Sequence, residues 1–370
     1  MKFGIVSALL VVVGFFLTLA MLFGSGWERP PMDSEQTGYR GTAIAEIINP
    51  RTEARDVAEN QVPPPPYEFD PADAEGSPKA GEFYENVQVL TDISADQFNY
   101  LMAAITEWVS PEEGCGYCHN LENLASDEVY TKHVARRMIQ MTQTINIDWK
   151  DHVQQTGVTC YTCHRGQPWP EYVWEQHNDG SPPRGMLGGP ADQNHPNPEV
   201  GLTSLPADLL STYIRSDGEA LRVAASRPDG LNNGLGTSIQ YTEGVYGVMM
   251  HMSSALGVNC TYCHNSRAFS VWDQSSPQRA LAWYGLQMLR GINQTYVLPL
   301  ASVLPPHRLG AQGDAPAVSC MTCHQGVNKP LLGQPMAKDY PSLLERTSSA
   351  PSSASNEAAT PATEETETTQ

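Results

Sequence analysis

Four copies of one short motif constrain this chain more than any other feature of its sequence. All eight cysteines lie in C-x-x-C pairs, and a histidine follows each pair directly. The motifs are Cys115-Gly-Tyr-Cys118-His119, Cys160-Tyr-Thr-Cys163-His164, Cys260-Thr-Tyr-Cys263-His264 and Cys320-Met-Thr-Cys323-His324. Two thiols at this spacing form thioethers with one haem, and the adjacent histidine can bind its iron. The sequence therefore predicts four covalently attached c-type haems.

Zinc binding, disulfide formation and dithiol redox chemistry are the competing interpretations of cysteine pairs. Tetrahedral zinc sites combine two C-x-x-C units, or one unit with spaced histidines. Neither arrangement explains a histidine after every pair, and the sequence lacks a thioredoxin-like context. Haem attachment is the interpretation that the motifs favour.

The motifs form an internal repeat. The first and third read C-x-Y-C-H-N, whereas the second and fourth read T-C-H-x-G. We predict two pseudo-repeated dihaem halves, at 81–170 and 236–335, joined by a connecting segment at 171–235 with a short helix near 207–225. With 29 Pro and 30 Gly in the chain, the expected fold is mainly α-helical with extensive irregular loops.

A segment with helical periodicity precedes each motif, so the predicted unit is helix, loop, C-x-x-C-H. Ser94 and Gln97 match a capping box, and Pro111 ends that helix. Gly257 ends the third helix, and Pro277 occupies the first position of the fourth.

The two ends of the chain differ from its middle. Residues 4–23 carry no charge and are long enough to span a bilayer, so 1–26 is predicted to be a membrane anchor, with a cleaved signal peptide as the alternative. Lys2 precedes this run, which by the positive-inside rule leaves the rest of the chain outside the cytoplasm. Residues 27–80 are predicted to be an extended Pro-rich tether, and 336–370 a disordered tail.

The formal net charge of −19 makes nucleic acid an unsuitable partner, because a phosphate backbone requires Lys and Arg. The same charge suits encounters with a basic soluble protein, although it would also serve solubility alone.

Sixth ligands of the haem irons are expected from the helices before the motifs. Met102, Met138 and Met249 lie on apolar helical faces that would turn toward a haem. In the fourth helix Gly285 aligns with Met138, and glycine cannot ligate iron. The fourth haem is therefore open or bound by a residue from elsewhere, with Met288, His307, His133 and His152 as candidates and a histidine preferred.

Beyond the motifs, the chain resembles the tetrahaem cytochrome subunit of purple bacterial photosynthetic reaction centres over about residues 80–335. The resemblance is carried by Arg136-Arg137-Met138, Asn146-Ile-Asp-Trp-Lys-Asp-His152, Gly157-Val-Thr-Cys160 through Gly166, Gly257-Val-Asn-Cys260 through Asn265, and Pro277-Gln-Arg279-Ala-Leu-Ala-Trp283.

This resemblance implies a periplasmic electron-transfer subunit, not an enzyme, that is attached to the inner membrane and docks on the reaction centre. It would accept electrons from a soluble donor such as a small cytochrome c or a high-potential iron–sulfur protein, and would re-reduce the photo-oxidised special pair. Met102, Met138 and Met249 would be the sixth ligands of haems one to three, and His152 would ligate haem four opposite His324. Arg279 would lie near the third haem, the closest to the special pair.

One feature of the chain departs from the family pattern, and two other functions compete with the one that the resemblance implies. Many members of the family carry a lipid on an amino-terminal cysteine, and this chain has no cysteine before Cys115, so anchoring by 4–23 is a separate inference. The competing functions are a multihaem redox enzyme with a vacant haem and a quinol-linked membrane tetrahaem cytochrome.

Overall fold

The computed structural model describes residues 2–24, 32–37, 44–70, 74, 76–175, 197–206, 211–215 and 239–346. This part of the chain is mostly helical with long loops, as predicted. Its α-helices are α1 (Lys2–Gly24), α2 (Pro50–Glu59), α3 (Ala80–Phe83), α4 (Ala95–Val109), α5 (Tyr130–Asp148), α6 (Lys150–Val153), α7 (Cys160–His164), α8 (Ile239–Leu256), α9 (Cys260–Cys263), α10 (Pro277–Ile292) and α11 (Cys320–His324). Two short antiparallel pairs join β1 (Asp33–Gln36) to β2 (Ala45–Ile48) and β3 (Val173–Trp174) to β4 (Ala317–Val318).

Local sequence signals set the ends of the long helices. The Ser94–Gln97 capping box forms in both directions at the start of α4, where it satisfies otherwise unpaired amide groups. Helix α8 ends one residue before Gly257, and α10 begins at Pro277. The predicted apolar face of α4 also packs as expected, with Leu101 and Trp108 fully buried.

Helix α1 is the one helix in the described residues that is long and apolar enough to cross a membrane. The span covers Val6–Gly24 and its side chains are exposed. Lipid is the environment in which such an exposed apolar surface is stable.

The predicted tether contains more structure than the sequence suggested. Strand β2 lies beside the third motif, where Thr261 Oγ1 donates to the Ala45 carbonyl at 2.9 Å. After α2, the Arg165 guanidinium that follows the second motif donates to Asn60 Oδ1 at 3.0 Å. These contacts fasten residues 45–60 onto two of the four motifs.

Two apolar cores hold the helices together, and the end of the described chain packs into the second of them. The first core surrounds α8, α10 and β4, and the second surrounds α4. Tyr340 and Leu343 are buried in the second core, and Asn146 Nδ2 donates to the Leu343 carbonyl at 3.0 Å. Residues 336–343 thus pack in turns where a disordered tail was predicted, while 347–370 lie outside the described residues.

The connecting segment is described only in part. Residues 211–215 form a single π-helical turn in which Tyr213 and Ile214 are buried. The remainder of the short helix predicted near 207–225 lies outside the described residues.

Gly257 offers a test of this packing. Its φ is +64°, and a Cβ added there would overlap the carbonyl of Gly326, just after the fourth motif. We expect Gly257→Ala to lower the free energy of unfolding by more than the ~1–3 kcal/mol that a left-handed conformation costs a non-glycine residue. Gly313→Ala is the control, because Gly313 has φ +74° and no atom within 4 Å of its added Cβ. Equal denaturation midpoints of the two variants would contradict the expectation.

Candidate haem-binding site

The second and fourth motifs share one local conformation, whereas the first and third each have a different one. The second and fourth form α7 and α11, each opened by a capping box in which Thr159 pairs with Thr162 and Ser319 with Thr322. The first lies in a 3-10 turn, Gly114–Tyr117, and the third forms α9. Only in α7 and α11 does one helical turn include both cysteines and the histidine.

Equivalent asparagines fix the second and fourth motifs to the helices before them. Asn146 exchanges hydrogen bonds with Val158, donating from Nδ2 to its carbonyl at 3.0 Å and accepting its amide at 2.7 Å. Asn293 does the same with Val318, at 2.8 Å in both directions. Val158 and Val318 each precede the first cysteine of their motif by two residues.

Two further contacts recur in both parts of the chain. The amide of Gly166 donates to the Trp108 carbonyl at the end of α4, and that of Gly326 donates to the Ala255 carbonyl at the end of α8, both at 2.8 Å. After the first and third motifs, the hydroxyls of Thr131 and Ser276 donate to the carbonyls of Tyr117 and Tyr262, respectively. The same backbone groups are therefore used twice, once per predicted half.

Every motif histidine is oriented by a backbone carbonyl. The Nδ1–carbonyl distances are 3.1 Å for His119 and Leu124, 2.9 Å for His164 and Gln167, 2.9 Å for His264 and Phe269, and 3.0 Å for His324 and Val327. A carbonyl only accepts, so Nδ1 carries the proton and Nε2 keeps its lone pair. This is the tautomer that an Nε2 metal ligand needs.

Burial keeps several of these groups uncharged. It lowers the pKa of His164 and His264, and lowers that of His324 to about 4. Burial also raises the pKa of Cys160 and Cys320 to about 12, and that of Cys118 and Cys263 to about 11. Reactive thiols have depressed pKa values, so these cysteines are unsuited to dithiol redox chemistry.

His152 faces His324 across a gap. Their ring centroids are 6.2 Å apart, with 69° between the ring planes. His152 Nδ1 donates to the Leu281 carbonyl at 2.9 Å, so its Nε2 is free, and burial lowers its pKa. Two metal–nitrogen bonds of about 2 Å, plus the distance from each nitrogen to its ring centre, add to roughly 6 Å. The two imidazoles fit an iron held between them.

Gly285 makes room for His152. A Cβ at this position would lie 2.5 Å from His152 Cε1 and 3.0 Å from its Nε2. The glycine that cannot itself be a ligand therefore leaves the space that an imidazole from α6 fills.

The other candidates for the fourth haem lie elsewhere. His133 is exposed and its Nε2 is 3.0 Å from the Asp127 carbonyl, while His307 is exposed in the Pro306–Arg308 turn. Met288 is buried in the first apolar core. Of the four candidates, the structure brings only His152 to His324.

The three predicted methionine ligands lie on three of the long helices. Met102, Met138 and Met249 are half-buried on α4, α5 and α8. Helix α4 contacts the first and second motifs, α5 contacts the second and α8 contacts the fourth. The ligand role of these thioethers stays a prediction.

Arg279 lies beside the third motif. It stacks over the Trp272 ring at 4.0 Å, and Nη1 donates to Ser275 Oγ at 2.7 Å. After burial, its positive charge is the next cause that lowers the pKa of His264. A cation at this position would act on any group bound to His264.

The second and fourth motifs are neighbours. Cys163 Sγ lies 2.6 Å from Cys323 Sγ, and Gln325 Nε2 donates to the Cys163 carbonyl at 3.4 Å.

Within the described ranges, no three His, Cys, Asp or Glu side chains are arranged to hold a metal ion. The cysteines are therefore not gathered into zinc sites there.

Sequence reasoning did not find the residues that orient the motifs. The acceptors of the histidine Nδ1 groups are backbone carbonyls, which leave no trace in residue identity. Asn146 and Asn293 did have a signal, because each follows an isoleucine at the same point of the aligned repeat.

Comparison with known proteins gives concordant results. The family model described as photosynthetic reaction centre cytochrome C subunit matches residues 28–344. The chain is 46% identical to the photosynthetic reaction center cytochrome c subunit of Rubrivivax gelatinosus over 332 residues, covering 89% of this chain and 88% of the relative. It is 46% identical to that of Thermochromatium tepidum over 327 residues (88% and 79%) and 43% identical to that of Roseobacter denitrificans over 322 residues (84% and 85%).

Proposed function

The chain belongs to the family of photosynthetic reaction centre cytochrome c subunits, and from this premise we propose that it holds four c-type haems in two dihaem halves and re-reduces the photo-oxidised special pair. Like its relatives, it is an electron-transfer protein of the reaction centre with c-type haem. We propose in addition that the haems number four, and we propose which residues bind their irons and which class of protein donates the electrons.

Two sets of residues would hold the haems, one by covalent attachment and one by binding the iron. The eight motif cysteines would attach the haems, and His119, His164, His264 and His324 would each supply one axial nitrogen. Met102, Met138, Met249 and His152 would supply the other axial ligands. When bound, each haem supplies an iron that gains and loses one electron without leaving the protein. Filling both axial positions with side chains excludes other ligands, which suits an electron carrier.

The geometry of His152, His324 and Gly285 is the observation that carries the proposal. Two neutral imidazoles face one another at the separation an iron requires, each with Nδ1 bonded to a carbonyl. The neighbouring glycine accommodates one of them. Both imidazoles are half-buried, and each has its Nδ1 proton bonded to a carbonyl, so each can offer its Nε2 lone pair to a metal.

Flash spectroscopy in intact membranes tests the function. After a short flash, c-type haem absorbance should show oxidation at the rate at which the special pair recovers. Special-pair recovery with no haem oxidation would overturn the proposal. Carbon monoxide uptake by the reduced, unmodified protein at native pH would instead favour a multihaem enzyme with a vacant site.

Mass measurement tests the haem count. We expect the denatured, purified chain to retain a mass increment of four haems, because thioether bonds survive denaturation. Substituting both Cys115 and Cys118 with alanine should reduce the increment to three. An unmodified chain with a smaller increment, or with bound zinc, would contradict the assignment.

Helix α1 supports attachment to the membrane that contains the reaction centre, with the haem-binding part on the periplasmic side. The protein should resist extraction by salt and be released by detergent, and the mature chain should begin at or near Met1. An amino terminus at about Trp27 would show instead that α1 is removed.

The donor is proposed to be a basic soluble protein of the periplasm, such as a small cytochrome c or a high-potential iron–sulfur protein. The net charge of −19 would increase the rate of encounter with a cationic partner. The second-order rate of haem re-reduction should then fall as ionic strength rises.

A further inference from the structure

The loop after the first motif contains a carbonyl with two different donors. Leu124 O accepts from His119 Nδ1 at 3.1 Å, and Lys132 Nζ lies 2.9 Å from the same oxygen. Lys132 belongs to α5 and is only 7% exposed, which is unusual for a lysine. A charged side chain therefore contacts the group that orients the first motif histidine.

The ammonium group of Lys132 is enclosed by this loop. Besides Leu124, it donates to the carbonyls of Ala125 at 3.0 Å and Ser126 at 2.8 Å. Its three protons thus have three backbone acceptors, while Asp127 Oδ1 lies 3.3 Å away. Because every proton is engaged, the charge is held at one point near His119.

Asp127 adds one negative charge beside Lys132, but it does not neutralise the two cations that it contacts. Its carboxylate is shared between Lys132 and Arg136, whose Nη2 lies 2.9 Å from Oδ1. These contacts, with the Arg136 hydrogen bond as the largest cause, hold the pKa of Asp127 well below its usual range. Asp127, Lys132 and Arg136 together therefore carry one positive charge, while the neighbouring Glu128 accepts instead from Asn120 Nδ2.

The carbonyl that accepts from the first motif histidine differs from those that accept from the other three. The histidines of the second, third and fourth motifs also donate Nδ1 to a carbonyl, of Gln167, Phe269 and Val327. Within the described part of the chain, only the acceptor of His119 also receives a hydrogen bond from an ammonium group. Nothing in the C-x-x-C-H pattern predicts this difference.

We propose that Lys132 is a positioning residue that raises the reduction potential of the haem at the first motif by acting on His119 through the Leu124 carbonyl. The inference rests on the proposed function, in which His119 is an axial ligand. A carbonyl that already accepts from an ammonium is a weaker acceptor for the imidazole N–H, so the imidazole donates less electron density to ferric iron. The nearby positive charge also favours the reduced state, which carries one positive charge fewer.

Lys132→Gln and Lys132→Arg separate charge from packing. The glutamine amide can still donate to the loop carbonyls but is neutral, whereas the arginine keeps the charge. In redox titrations of the full-length protein, Gln should lower the reduced-to-oxidised ratio of one haem about tenfold at a fixed potential, or about 59 mV for a one-electron couple. Arg should change that ratio less than threefold. The affected component is identified as the one that Met102→His also lowers.

Lys79→Met is the control for loss of one positive charge, because Lys79 is exposed and pairs with Asp92 at 3.4 Å away from these carbonyls. It should leave all four components in place. The inference is overturned if Gln moves no component, lowers all four together or loses a haem, or if Arg lowers the potential as far as Gln. Failure of the proposed function would appear differently, as fewer than four components in the unmodified protein or no response to Met102→His.

Discussion

Gly285→Ala should open the fourth haem to carbon monoxide. The added methyl group would lie 2.5 Å from His152 Cε1, closer than unbonded atoms approach, and 3.1 Å from Nδ1, a tight contact. The His152 imidazole is held by its hydrogen bond to the Leu281 carbonyl, which lies one turn before Gly285 on α10. It therefore cannot move away from the added methyl group and keep this hydrogen bond. Since alanine offers no ligand, one haem in four should bind carbon monoxide in the reduced protein, where the unmodified protein binds none.

A second glycine on α10 supplies the control. A Cβ at Gly291 would meet only Trp149 Cζ2, at 3.4 Å, so Gly291→Ala tests the general effect of alanine in this helix. Its reduced difference spectrum with carbon monoxide should match that of the unmodified protein. If Gly285→Ala also gave no carbon monoxide spectrum and four unchanged potentials, His152 would not be the sixth ligand.

The features of this protein that the sequence predicted correctly depend on neighbouring residues. The capping box at Ser94, the stop at Gly257 and the proline start at Pro277 are all observed. Each is decided by the few residues around a helix end, so its physical cause lies within the sequence window that reveals it.

The candidate ligands of the proposed fourth haem could not be ranked from local sequence. Residue order left Met288, His307, His133 and His152 open, and only the family resemblance selected His152. In the structure, α6 packs on α10 where Gly285 leaves the space that the His152 imidazole occupies, while its role as a ligand stays a prediction. A contact between residues more than 130 positions apart has no local signature.

Irregular segments were the hardest part of the fold to predict. Tyr340 and Leu343 are buried although they follow no helical or strand period, and Ala45 contacts the third motif from a strand of four residues. Periodicity detects regular elements that bury one face. In this protein, loops and turns also contribute to the core, so apolar residues in them carry structure that periodicity does not reveal.

His152→Met should raise the potential of one haem and leave the other three nearly unchanged. Imidazole donates more strongly than thioether and stabilises the ferric state, so replacing one of two imidazoles removes part of that stabilisation. We expect a rise on the order of 100 mV, a modest part of the ~0.8 V that axial ligands span. Redox titration of the α-band absorbance in detergent-solubilised complex would measure it.

The reverse substitutions make the assignment specific. Met102→His, Met138→His and Met249→His should each lower a different component, because each would exchange a thioether for an imidazole at a separate motif. His133→Met is the matched control, since His133 is exposed and its Nε2 lies 3.0 Å from a backbone carbonyl, and it should move none. Four unchanged components in His152→Met would make His152 a structural histidine. The facing rings of His152 and His324 would then need another explanation, and Met288 and His307 would be the next ligands to substitute.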